Sequence, residues 1–399
     1  MTKQIMQDVR VLDLTNILAG PFATLHLALM GADVIKIERP GSGDLARTRG
    51  AKTDLNEELM GTSFLAQNAN KKSVTLNIKS VEGKAIFKKL LKTADVLVEN
   101  FRPGVMDRLE LGYDVLKLIN PGLVYCAISG FGQTGPDAKK PAYDQIIQGQ
   151  SGEMSVNGDE RLNPLRAGFP VCDTVGGLNA AFAIMAALYH RERTGEGQFI
   201  DIAMLDSIMP MMGWVAANLM IGDCEPEPVG NDNYTSAPSG AFHTGDGLIN
   251  IAAHKQEQWE SLCEVLGLPE LKNDARFAKR DIRRHNRKRL TPLLEEKLAL
   301  RSTAEWVGLL NEHGVPSGAV LNLRDALQQP QVKHRQTLKS MHVDGIGSIP
   351  LFNLTAKFDQ TPGQLTSAPP RLSAHTAEVL TGLGISADEL ADLKVKNII

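Results

Sequence analysis

Residues 9–38 read VRVLDLTNILAGPFATLHLALMGADVIKIE, and the ends of this stretch decide the fold. Val9–Leu14 is a short, β-rich apolar run, Ala19–Gly31 is helix-like, and Asp33–Glu38 is a second strand. The pattern continues with a strand at Ser73–Ile78, a helix capped by Ser80 and running through Thr93, and strands at Val96–Glu99 and Leu123–Ile128. Strand–helix–strand alternation at this spacing predicts an α/β fold, a doubly wound parallel sheet with helices on both faces. Ligands bind such sheets at the carboxyl ends of the strands, so the loops there are the places to seek a site. Leu178–Tyr189 (LNAAFAIMAALY) is apolar all round and predicts a fully buried helix; Phe199–Met204 reads as a further strand. The pattern changes near Glu225, where Pro226 and Pro228 make a linker. The expected organisation is a large domain built from both chain ends, residues 1–224 and 331–399, with a smaller α+β domain over 225–330.

Composition narrows the function. A chain of 399 residues buries enough surface to need no staples. Its 43 Lys plus Arg against 46 Asp plus Glu argue against a nucleic-acid partner, whose domains are usually basic. Cys126, Cys172, Cys224 and Cys263 lie far apart with no C-x-x-C pair, which argues against a disulfide framework and a metal site. The first ten residues carry no signal-peptide run, and the uncharged apolar stretches Thr174–Tyr189 and Ser207–Gly222 fall short of the ~20 residues a bilayer demands. A soluble, cytoplasmic protein with no membrane partner is expected.

Two matches to the dinucleotide fingerprint, beginning at Gly41 and Gly130, follow strands but open no apolar helix. The fingerprint requires that helix, whose N-terminus holds the pyrophosphate. Nucleophile-elbow, Walker A and H-E-x-x-H motifs are all missing from the sequence. The basic run Lys279–Arg289 (KRDIRRHNRKR) reads as a solvated helix face. Asp173, just before the apolar helix and followed by Gly176–Gly177, supports two readings. It is an N-cap, accepting a backbone N–H, or a carboxylate kept ionised by the helix N-terminus and used as a nucleophile toward an activated acyl group. Spacing alone does not choose between them.

Several motifs together resemble the family III CoA-transferases: Ala19-Gly20-Pro21-Phe22-Ala23, Gly31 through Pro40 (GADVIKIERP), Asn100-Phe101-Arg102-Pro103-Gly104, Ser129 through Pro136 (SGFGQTGP), Pro141-Ala142-Tyr143-Asp144, Asp173-Thr174-Val175-Gly176-Gly177, Arg193 through Gln198 and Pro369-Pro370-Arg371-Leu372. The resemblance spans nearly the whole chain. It implies an interlocked homodimer of two-domain subunits, formyl-CoA or acetyl-CoA:oxalate CoA-transferase-like activity, and no prosthetic group, with coenzyme A and acyl-CoA as substrates. It maps the catalytic nucleophile onto Asp173. It maps CoA contacts onto Leu18, Ala19, Arg39, Leu76, Asn77, Ile78, Lys79, Asn100, Phe101, Arg102 and Arg108, and acyl-pocket positions onto Tyr143 and Asp144. A mobile glycine loop is implied near Pro238–Ala241, although only Gly240 is a glycine there. Pro141 stands where some members carry a phosphate-binding lysine, leaving Lys139 or Lys140 to supply that contact. The acceptor implied is a small carboxylate such as oxalate or succinate. Alternatives on the same fold are an α-methylacyl-CoA racemase and a carnitine-type CoA-transferase. The racemase reading is weakened by Tyr143, since an unperturbed phenol titrates near 10 and is a poor base at neutral pH.

Overall fold

The computed structural model describes residues 4–399. The chain packs as two compact units. One contains the chain up to Met154 together with Arg166–Cys224 and Lys333–Ile399; the other contains Ser155–Leu165 and Glu225–Val332. Ser155–Leu165, assigned by sequence to the large domain, thus belongs with the second unit, because its turn pairs there: Gly230 N donates to Gly158 O at 2.8 Å.

The first unit is built on a six-stranded parallel sheet, β1 (Arg10–Asp13), β2 (Asp33–Glu38), β3 (Lys71–Thr75), β4 (Val96–Glu99), β5 (Val124–Ser129) and β6 (Phe199–Ala203), in the order 3-2-1-4-5-6. Alternation along the strands sends side chains to two cores. Val11, Val34, Val96 and Cys126 join one core with α1 (Ala19–Leu29), while Leu12, Ile35, Leu97 and Tyr125 join the other with α2 (Val81–Leu91) and the C-terminal Leu380 and Leu393. Helices therefore cover both faces, as the alternation predicts. Ser80 caps α2 by accepting the Gly83 amide at 3.0 Å. β3 begins two residues earlier than expected, because the buried Lys71 hides the strand pattern. The order reverses between β1 and β4, and there the loops after the two strands meet. Asn16 N donates to Asn100 Oδ1 and Asn100 Nδ2 donates to Asn16 O, both at 2.8 Å.

A buried ionic cluster fixes the loop after β1. Asp13 Oδ1 accepts from the Thr15 amide and hydroxyl; Asp13 Oδ2 accepts from Thr24 Oγ1 at 2.7 Å and Lys71 Nζ at 3.1 Å. Lys36 Nζ donates to Thr15 O at 2.7 Å and pairs with Asp44 Oδ2 at 2.9 Å. Asp44 Oδ1 in turn accepts the Ile17 amide at 3.0 Å. The glycine fingerprint at Gly41–Ala46 is thereby accounted for: it delivers Asp44 to this cluster. Ile17 sits at φ 68°, a left-handed conformation that a β-branched residue adopts only when its surroundings force it.

In the second unit the strands Ser239–His243, Leu248–Ala252 and Ser317–Ala319 form an antiparallel sheet. The expected mobile loop at Pro238–Ala241 is mostly strand, with Ser239 paired to Ala252. The basic run is not a solvated face either. Arg283 is fully buried, and four arginines at helical spacing hold consecutive carbonyls: Arg287 takes Asn233 and Ser236, Arg284 Tyr234, Arg280 Thr235, and Arg283 Ala237.

Candidate active site

The long helix α4 (Val171–Thr194) carries Asp173 in its first turn. The cap is Pro170 rather than Asp173, which stands at the third helical position. The side chain that satisfies the orphan amides comes from elsewhere in sequence. Asp144, first residue of helix α3 (Asp144–Gln150), accepts the Cys172 amide at 2.8 Å and the Asp173 amide at 3.4 Å through Oδ1. Its Oδ2 accepts from Gln148 Nε2 at 2.6 Å. Gln148 is fully buried and also ties down the approach to α4, donating to Phe169 O and accepting from Ala167 N. Sequence reasoning missed Gln148, since an i,i+4 Asp–Gln pair carries no signal of what lies across from it. Asp144 was expected beside the acyl group; it is buried and orders the helix that holds Asp173.

Freed from capping, the Asp173 carboxylate has no ion partner among the described residues. Burial, reinforced by the like charge of Asp144, raises its pKa to about 7. The helix N-terminus does not hold it in the ordinary carboxylate range. The same two causes raise Glu153 above the ordinary carboxylate range. This is the poise of a group that works near neutral pH.

Two glycines set how closely α4 packs against its neighbours. Gly177 lies four residues on from Asp173, on the same flank of α4; a Cβ there would stand 2.5 Å from Ala19 O. Only glycine allows α4 to lie this close to the first turn of α1. Gly176 presses on Met204 in the same way, at 3.0 Å.

The remaining site residues follow the strand ends. Arg39 follows β2, Leu76–Lys79 follow β3, and Asn100–Arg102 follow β4, with Arg108 in the next turn. Arg39, Lys79, Arg102 and Arg108 are exposed, and none forms an ion pair among the described residues. These four cations follow the carboxyl ends of β2, β3 and β4, the end of a doubly wound sheet at which ligands bind. Lys140 instead pairs with Asp137 at 2.7 Å. Leu76 is buried, Ile78 packs in the second core, and Asn77 N donates to Ile398 O, which leaves Lys79 as the exposed side chain of this segment. Phe101 N donates to the buried Glu99, whose pKa burial raises to about 8. Tyr143 is 70% exposed beside Asp144. The second unit has its own open cavity of about 520 Å3, lined by Asp232, Asn233, Gly240, Asn250 and Ser317 among others and by none of these site residues.

Helix α4 is not fully buried. Leu178, Phe182 and Tyr189 face outward, Phe182 at 74% exposure. Its length and a mean hydropathy of 1.6 would suffice to cross a membrane, yet its other flank, Ala180, Ile184 and Ala187, is packed in the core beside α1.

Residues 6–376 match the protein family described as CoA-transferase family III. The chain is 38% identical to the human succinyl-CoA:glutarate CoA-transferase over 94% of its own length and 85% of that protein. It is 40% identical to the acetyl-CoA:oxalate CoA-transferase of Acetobacter aceti over 82% of this chain and 84% of that one. Among solved structures, a CAIB/BAIF family protein from Brucella suis superimposes with a TM-score of 0.84 at 34% identity, covering 96% of this chain and all of that one.

Proposed function

Since the chain belongs to CoA-transferase family III and is a CoA-transferase, we propose that it moves CoA from an acyl-CoA to a small dicarboxylate through covalent intermediates on Asp173. The observation that carries this reading is the poise of Asp173: half-buried, without an ion partner among the described residues, and carried in the first turn of a helix that Gly177 lets lie against α1. The Asp173 carboxylate attacks the thioester carbonyl and expels CoA thiolate, leaving a mixed anhydride. The thiolate attacks the aspartyl carbonyl, releasing the donor acid and leaving an aspartyl-CoA thioester. The acceptor carboxylate attacks that thioester, again expelling thiolate, which then takes the acceptor acyl group and frees Asp173. Each intermediate is an activated acyl, so no other energy source is required. Arg39, Lys79, Arg102 and Arg108 would bind the phosphates of CoA, with Leu18, Ala19, Leu76, Asn77, Ile78, Asn100 and Phe101 lining its path. The acyl pocket would involve Tyr143. Dicarboxylate acceptors follow from the relatives, which act on glutarate and oxalate.

The test is a panel of acyl-CoA donors against C2–C6 mono- and dicarboxylic acids, with the product thioesters read by mass spectrometry. New dicarboxylyl-CoA with ping-pong kinetics is expected; CoA transfer to no acid overturns the reading. The nucleophile is the ionised form, so kcat/KM for the donor should rise tenfold per pH unit below about 7 and level off above it. Asp144→Asn keeps an oxygen for the Cys172 amide but removes the like charge, so this limb should move to lower pH. A limb that stays put would mean that Asp144 does not influence Asp173.

We further propose that two chains assemble as an interlocked dimer. Phe182, Trp214, Met220 and Ile221 all carry large exposed apolar side chains, Ile221 at 86% exposure, and monomeric proteins rarely leave so much apolar surface to water. Light scattering should give twice the mass of one chain; a monomer at micromolar concentration contradicts the proposal.

A further inference from the structure

Arg166 enters the first unit just ahead of α4, and the same buried amide that orders Asp144 holds its segment. Gln148 accepts the Ala167 amide at 2.9 Å and donates to Asp144 Oδ2 and Phe169 O. The Arg166 side chain, 43% exposed, comes to 4.0 Å from Asp144 Oδ2 and donates no hydrogen bond among the described residues. The other oxygen of that carboxylate lies 3.4 Å from the Asp173 amide. A single carboxyl group therefore separates a half-free guanidinium from the residue that carries the acyl group, a span of about 10 Å at most.

We propose that Arg166 determines specificity by receiving the far carboxylate of a dicarboxylate acid or acyl group while its near carboxyl meets Asp173. This rests on the reading of Asp173 given above. The carboxyl carbons of a C4–C5 diacid stand about 4–5 Å apart, and the reacting atoms approach to about 3 Å. The second carboxylate then falls within the sweep of the Arg166 side chain. The charges demand such a cation. Asp144, Asp173 and Glu153 make this corner acidic, and a dianion entering it without a counter-charge would meet repulsion only. A guanidinium also offers the paired donors that a carboxylate accepts. Donor acid and acceptor acid occupy the same place in the exchange, so Arg166 acts in both halves.

The experiment compares wild type, Arg166→Met and Arg166→Lys with succinyl-CoA as donor and glutarate or valerate as acceptor. In a ping-pong exchange the acceptor kcat/KM reports the acceptor half alone. Arg166→Met should lower kcat/KM for glutarate about 10–100-fold and leave that for valerate within about threefold, collapsing the preference between them; Arg166→Lys should fall between. Equal losses for the two acids would make Arg166 merely structural, and no loss for glutarate would remove it from the pocket; either overturns the proposal while the transferase reading stands. A wild type that transfers CoA to neither acid is the separate failure, of that reading itself.

Discussion

Asp173→Asn lowers transferase turnover by about 10⁴-fold or more, because removing a nucleophile eliminates the covalent route rather than weakening one contact. Asparagine matches aspartate in size, and Asp173 neither caps α4 nor pairs with a cation, so the fold loses nothing it depends on. The variant should keep its thermal midpoint within a few degrees. It should also keep its affinity for CoA by calorimetry, since the four free cations at the strand ends are untouched. The decisive comparison is turnover against CoA binding. Retention of more than about one hundredth of the wild-type rate would assign the chemistry to another group.

Asp13→Ala should destabilise the protein by about 3–5 kcal/mol, the loss expected when one partner of a buried ion pair is removed. Burial alone would raise the pKa of Asp13, but Lys36, Lys71 and the hydroxyls of Thr15 and Thr24 hold its carboxyl well below the ordinary range. The folded-state pKa is depressed, so this contribution is complete above the ordinary carboxylate range and is lost only in strong acid. Without Asp13, Lys71 keeps only neutral acceptors: Asn68 Oδ1, Thr24 Oγ1 and Pro21 O. Lys36 keeps Asp44, so the damage centres on Lys71. Urea denaturation measures the loss, and Lys71→Met added to Asp13→Ala should recover part of it. A change below about 1 kcal/mol, or a double variant no better than the single one, would show that the cluster is not a coupled unit. Activity should suffer as well, because Asp13, Lys36 and Asp44 together hold Thr15 and the strained Ile17 ahead of α1.

The two-faced sheet was legible because its core strands alternate cleanly: Val11 and Leu12 point to opposite cores, and β2 and β4 run from and to the expected residues. The same periodicity failed at β3, where the charged side chain of Lys71 is buried on its ion partner Asp13. It failed differently at α4. Apolar residues all round a helix announce that every flank is covered, but they do not say by what, and part of this helix is exposed on the single chain. The position of Asp173 was legible from its neighbours, whereas its electrostatics were not. The carboxylate that takes the first amides of α4 is Asp144, 29 residues before Asp173, and only the fold brings the two carboxyl groups together. The arginines of the basic run carried the same kind of hidden information: they read as a solvated face in sequence, and the carbonyls they hold lie on a segment far upstream.

Brief mixing with an acyl-CoA in the absence of acceptor, acid quenching and peptide mapping by mass spectrometry tests the central claim most directly. The peptide bearing Asp173 should gain the mass of CoA less one water, and Asp173→Asn should abolish the adduct. Turnover that proceeds with no covalent species, or with the adduct on a different residue, would contradict it.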